Sequence, residues 1–278
     1  MMINLDRIAT EQRNNNSAHI DKASTLDMVK IINAEDKKVA VAVEQILPQI
    51  AKAVDVISLC LSKGGRLIYM GSGTSGRLGV LDAAECPPTY STAPEMVQGL
   101  ISGGAAAMFV AQEGAEDSEA LGEEDLQKIS LTNKDVVVGL TASGRTPYVA
   151  GGLRYAQSVG AATVCVACTP EPYVAAWADI SLEAVVGPEV VTGSTRMKAG
   201  TAQKLILNML STGAMIKLGK VYGNLMVDVK ASNKKLEERA VRIVMTITEC
   251  TREEAQQALL QCGGKARAAI DLLGRKDD

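Results

Sequence analysis

The chain has 278 residues, 47% of them hydrophobic but with a single Phe and a single Trp, and a formal charge of −3. That length suits one large domain with a small appendage, and the scarcity of aromatics demands an aliphatic core, as in α/β proteins with buried strands. Interspersed charges argue against nucleic acid as a partner, and no apolar run nears the roughly 18 residues that cross a bilayer.

The opening MMINLDRIATEQRNNNSAHID lacks the apolar centre of a signal peptide, so a cytoplasmic location is expected. Between residues 24 and 61, apolar positions three and four apart predict two helices, the first capped by Ser24 or Thr25 and parted from the second near Pro48. After Lys63-Gly64-Gly65, RLIYM is a short buried strand. MVQGLI (96–101) is strand-like, AAAMFVAQEGAEDSEALGEEDLQKI reads as helical at least in part, and DVVVGLT (135–141) is a buried strand. A helix over 147–159, the strand ATVCVAC (162–168), a further short strand in ADISLEAVV (178–186) and a long helix in TRMKAGTAQKLILNMLSTGAMIKLG follow. This rhythm predicts a doubly wound, mainly parallel sheet flanked by helices, with ligands beyond the carboxyl ends of its strands. Past residue 234 come three short helices, the second opening on a Thr251-x-x-Glu254 capping box. The expected division is an N-terminal helical segment (1–56), a catalytic domain (57–220) and a small helical module (234–278).

Gly71-Ser72-Gly73-Thr74-Ser75-Gly76 matches G-x-G-x-x-G, and Glu95 stands near the distance of a dinucleotide fold's ribose-binding acid. The turn's chemistry favours a different ligand. Ser72, Thr74 and Ser75 put three hydroxyls into four residues, which suits a phosphate monoester seated on a helix N-terminus. Glu95 also precedes its strand, whereas the ribose acid normally ends one. A second turn, Thr141-Ala142-Ser143-Gly144-Arg145-Thr146, repeats Ser-Gly-Arg after another buried strand. A third set, Gly193-Ser194-Thr195-Arg196 with Lys198, opens the long helix. One such set is an ordinary helix cap, but three together point to a sugar-phosphate site.

Two carboxylate groups stand out. Glu85 precedes Cys86-Pro87-Pro88, where the residue before proline is driven from helical geometry. A helix ending there sets the acid against the negative end of its dipole, at about 0.3–1 kcal/mol, and raises its pKa as a general acid requires. In Glu113-Gly114-Ala115-Glu116-Asp117, the glycine break can turn one acid inward, and spacing does not choose among Glu113, Glu116 and Asp117. Cys165 and Cys168 form an isolated C-x-x-C inside an apolar run, read as buried thiols rather than a metal or redox site. The lone His19 argues against histidine triads and multi-histidine metal centres.

GSGTSGRLGVLDAAECPPTY, EGAEDS, ASGRTPYV, VVTGSTRMKAGTAQKLILNMLSTG and RNNNSAHID resemble the N-acetylmuramic acid 6-phosphate etherase family, within the sugar isomerase-type phosphosugar-binding group. The resemblance spans nearly the whole chain. It implies cleavage of the D-lactyl ether to N-acetylglucosamine 6-phosphate and D-lactate, by elimination and hydration, in cell-wall sugar recycling. It also implies no cofactor and no metal, a homodimer with its active site near the subunit interface, and Glu85 and Glu116 as the catalytic acids. Ser72, Thr74, Ser75, Ser143, Arg145, Thr146, Ser194 and Lys198 would bind the phosphosugar. The terminal helices resemble the family's small ubiquitin-associated-like bundle, and a chain ending at Asp278 implies a shortened last helix. The alternatives are a non-catalytic phosphosugar sensor, which needs neither glutamate, and an aldose–ketose isomerase, which needs no acid at the C3 oxygen.

Overall fold

The computed structural model describes residues 9–110, 112, 114–228 and 234–274; Glu113 lies outside them. Its centre is a five-stranded, all-parallel sheet of β1 (Leu67–Gly71), β2 (Val97–Ile101), β3 (Val136–Thr141), β4 (Ala162–Ala167) and β5 (Ile180–Glu183), in the order β2-β1-β3-β4-β5. Side chains alternate along each strand. Leu67, Tyr69, Val136, Val138, Leu140, Val164 and Val166 enter the core on one face; Ile68, Met70, Val137 and Cys165 enter the other. Both faces are covered, so the strands read as continuous apolar runs.

The first face is covered by α1 (Thr25–Glu44), α2 (Leu47–Ser62), α3 (Gly73–Tyr90) and α6 (Lys198–Lys217). The second carries α4 (Glu119–Lys128) and α5 (Pro147–Val159). Ser24 caps α1 by accepting from the Asp27 amide, and Pro48 lies in the opening turn of α2, as the sequence predicts. The stretch from residue 105, read as helical at least in part, is partly so: a 3-10 turn at Ala105–Met108, Gly114 at φ +79°, then α4. The last helices, α7 (Lys234–Thr248), α8 (Arg252–Gln261) and α9 (Ala266–Leu273), enclose a separate apolar core around Val244, Ala255 and Ala269. The capping box at Thr251 and Glu254 closes reciprocally. No helix among the described residues is long and apolar enough to cross a membrane.

One expectation is corrected. α3 does not end at Glu85 but continues through Pro87 and Pro88 to Tyr90, closed by Ser91 in the left-handed region, whose amide donates to the Pro87 carbonyl. Each interior proline removes a backbone donor and strains the turn before it. Buried Cys86 and Tyr90, both in the main core, supply the compensating packing. Glu85 therefore sits on an exposed face in the body of the helix, and the helix end expected to act on it lies further along the chain.

Candidate active site at the switch point of the sheet

In the order β2-β1-β3-β4-β5 the chain leaves β1 for one edge and β3 for the other, so the switch point lies between these two strands. Open α/β sheets bind ligands in the crevice at the carboxyl ends of such a pair. Both Ser-Gly-Arg turns stand there. The first follows Gly71, whose register partner is Leu140, and the second begins at Thr141. Gly76 is required by close approach, since a Cβ would stand 2.5 Å from the Gly71 carbonyl oxygen. Gly144 takes φ +74° against Pro172 and Thr169.

A cleft of about 310 Å³ opens over the first turn, lined by Ser72, Gly73, Arg77, Ser102, Glu116 and Asp117 among others. The Oγ of Ser72 is buried there without a hydrogen-bond partner, and the first turn of a helix leaves its amides unpaired. The cleft thus offers an anion both free donors and the positive end of a dipole. Arg77 donates through Nε to the Met108 carbonyl and through Nη2 to that of Ala107 at 2.7 Å, which clamps the 105–108 turn as one wall.

Glu116 stands at the cleft's edge, positioned through its backbone: its carbonyl accepts from the Tyr148 amide at 3.0 Å, in the first turn of α5. Partial burial, reinforced by the charge of Asp117, raises its carboxyl pKa above the ordinary value. In the second turn, Thr141 and Thr146 share a hydrogen bond of 2.9 Å and the Gly144 amide donates to Thr141 Oγ1. Ser143 Oγ accepts from the Arg145 amide, while the Arg145 side chain is exposed.

The third set is placed differently from the first two. Thr74 lies against α6, where a Cβ at Gly200 would be 3.4 Å from its methyl group, so the first turn packs on the helix that the third set opens. The N-terminus of α6, however, already holds an anion. Glu189, fully buried, accepts from the Lys198 and Ala199 amides at 2.9 Å each. Lys198 is 1% exposed, and its ammonium donates to Glu35 at 2.8 Å. In this arrangement Lys198 is committed to an internal ion pair, and Ser194 lies on a half-exposed loop before it. Ser75 also turns inward, donating to Gln203 Oε1 at 3.0 Å.

Glu85 is not in the cleft. It lies 12 residues beyond Gly73 on one continuous helix, about 18 Å along its axis. Glu95, the acid of the dinucleotide reading, is exposed before β2, at the opposite end of the sheet from the cleft. Cys165 and Cys168 are buried free thiols, and no metal-binding cluster occurs among the described residues. A larger cavity of about 580 Å³ between α3, α6 and α9 contains Lys220 and Arg267, but both are paired with Asp228.

Several residues of this region carry no local signal in the sequence. Glu189 and Gln203 act through tertiary contacts with partners at least nine residues away. Arg77 could have been found, because it completes the first Ser-Gly-Arg, and Ser102 stands beside the Gly103-Gly104 pair that ends β2.

Fold and cleft define a protein of the sugar isomerase-type (SIS) class. Residues 49–157 match the glucokinase regulatory protein N-terminal SIS domain, and residues 223–268 match the C-terminal lid domain of glucokinase regulatory protein. Among solved structures, a putative sugar-phosphate isomerase from Listeria monocytogenes is similar at a TM-score of 0.51 and 15% identity, over 71% of this chain and 93% of that one. A putative phosphosugar isomerase involved in capsule formation from Bacteroides fragilis NCTC 9343 is similar at 0.52 and 19%, over 71% and 94%. The sequence relatives are closer. The N-acetylmuramic acid 6-phosphate etherase of Photorhabdus laumondii is 60% identical over 98% of this chain and 91% of its own length. The one from Clostridium beijerinckii is 60% identical over 98% and 89%. The chain belongs to the N-acetylmuramic acid 6-phosphate etherase family.

Proposed function

We propose that this chain is a carbon–oxygen lyase that cleaves the D-lactyl ether of N-acetylmuramic acid 6-phosphate, giving N-acetylglucosamine 6-phosphate and D-lactate. The observation that carries this reading is about 60% identity, over 98% of the chain, to relatives named for that etherase activity. The cleft agrees with it chemically: donor-rich helix N-termini suit the phosphate, and a carboxylate with a raised pKa stands beside them.

In the proposed reaction, Glu116 removes the proton on C2, which is acidified by the C1 carbonyl of the opened sugar. The electron pair forms the C2–C3 double bond and the C3–O bond breaks, the lactate oxygen taking its proton from Glu85. Ionised Glu85 then removes a proton from water as the oxygen adds to C3, and C2 regains its proton from Glu116. Each transfer contributes roughly 10²–10⁴-fold.

The cleft that Glu116 lines opens over the start of α3, and Glu85 lies about 18 Å further along that helix axis, out of reach of an ether oxygen held in the cleft. The scheme therefore takes Glu85 from a second copy of the chain, related by a twofold axis. Exposed apolar groups flank both halves of such a site: Leu81, 44% exposed, one turn before Glu85, and Phe109, 90% exposed, beside the cleft wall.

The test is incubation with N-acetylmuramic acid 6-phosphate in water enriched in oxygen-18. D-lactate released with the label at C3 of the sugar is expected. Label in the lactate would mean that the other ether bond breaks and would remove the two-glutamate scheme. Saturable binding without lactate would favour a sensor.

A further inference from the structure

Gln203 is fully buried on α6 and faces the first turn of α3, where its Oε1 accepts from Ser75 Oγ at 3.0 Å. Its Nε2 has no hydrogen-bond partner. A carboxamide can rotate half a turn about its last bond and exchange its oxygen and nitrogen with almost no change of shape. With the oxygen toward Ser75, the hydroxyl gives its only proton to the amide, and both N–H bonds of Nε2 stay unmatched. With the nitrogen toward Ser75, one N–H is paired, and one N–H and the carbonyl stand unmatched in place of two N–H groups; an under-used carbonyl is the defect that buried structure tolerates better. The second orientation also releases the Ser75 proton.

Ser75 lies three residues beyond Ser72, in the helical turn whose amides and dipole favour an anion. We infer that Gln203 is a positioning residue that sets the direction of the Ser75 hydroxyl. Without an anion, Ser75 donates into the protein. When a phosphate monoester arrives, the amide turns, Nε2 donates to Ser75 Oγ, and Ser75 donates to a phosphate oxygen. No covalent bond changes. The inference rests on the phosphosugar reading above, and it adds to that reading a buried, non-contacting residue that decides phosphate affinity.

The experiment is a double-mutant cycle of Ser75→Ala and Gln203→Met on the full chain, reading calorimetric affinity for N-acetylglucosamine 6-phosphate, with thermal melts to confirm folding. Each single change is expected to weaken binding on the order of tenfold or more, the worth of a hydrogen bond to a charged group. Gln203→Met should then cost nothing further in the Ser75→Ala background. Additive losses would assign Gln203 a purely structural role and overturn the inference. A second variant, Gln203→Glu, keeps the shape but only accepts once ionised, so it holds the Ser75 proton. Its binding should be weaker than that of Gln203→Met at neutral pH and should recover on acidification. Wild-type affinity in Gln203→Glu at neutral pH would also overturn the proposal. Failure of the unaltered chain to bind N-acetylglucosamine 6-phosphate would instead remove the phosphosugar reading itself, which separates the two failures.

Discussion

A carboxylate that takes a proton from carbon works only when ionised, so the environment of Glu116 sets the acid limb of the reaction. Partial burial and the neighbouring Asp117 both raise its pKa. The acid limb of kcat/KM is therefore expected above the ordinary glutamate value of about 4.5. Asp117→Asn removes the like charge and should move that limb to lower pH, which a pH–rate profile reads directly. A limb that stays in place would mean that a different group titrates. Glu35 shows the opposite balance. Burial opposes its charge, but hydrogen bonds from Lys198, Lys38 and Asn16 outweigh that and hold its pKa at about 2. A carboxyl with a depressed folded pKa stabilises the fold above its unfolded value, and this contribution is lost as pH falls from about 4.5 through about 2. Glu35→Gln strands the buried Lys198 ammonium, so a loss of about 3 kcal/mol at pH 7 is expected, together with a flatter acid dependence. Urea unfolding at pH 7 and at about pH 3.5, between the folded and unfolded values, measures both.

At the scale of elements, the Glu116 loop is held by the contact between α4 and α5, and that contact depends on glycine. A Cβ at Gly122 would lie 2.0 Å from the Tyr148 carbonyl oxygen, and one at Gly151 would lie 2.1 Å from that of Glu119. Gly122→Ala is expected to push α4 outward, to cost about 1–3 kcal/mol as overpacking does, and to lower kcat by disturbing the Tyr148–Glu116 backbone bond. Calorimetric melting and steady-state kinetics on one preparation test both effects, and a variant as stable and active as the parent would contradict this account of the contact. The strands themselves were legible, because burial on both faces leaves continuous aliphatic runs such as VVVGLT. So were the helices over 147–159 and 252–261, each marked by its own cap or proline. The end of α3 was not. Local chemistry at Cys86-Pro87-Pro88 says stop, and only the distant core that receives Cys86 and Tyr90 overrides it. The same limit applies at the candidate site. Ser72 could be read from its turn and the 113–117 cluster from its glycine break, with Glu116 chosen within it only by the family resemblance, whereas the enclosure of Lys198 depends on Glu35, 163 residues away.

For the whole molecule, the separation of Glu85 from the cleft carries the strongest consequence. If each site pairs Glu116 of one copy with Glu85 of the other, Glu85→Gln and Glu116→Gln chains are each inactive alone but complement each other when mixed. In a mixed dimer one site receives both altered residues and the other receives neither. Random reassembly of equal amounts makes half the dimers mixed, with one intact site of two, so activity should return to about a quarter of the unaltered value in a twofold assembly. If instead both glutamates of a site came from one chain, every site in every mixture would lack one acid and no activity would return. The assay needs only the two purified variants, refolded together and separately, and D-lactate release. Its outcome decides whether α3 delivers the Glu85 acid within its own subunit or across a subunit boundary.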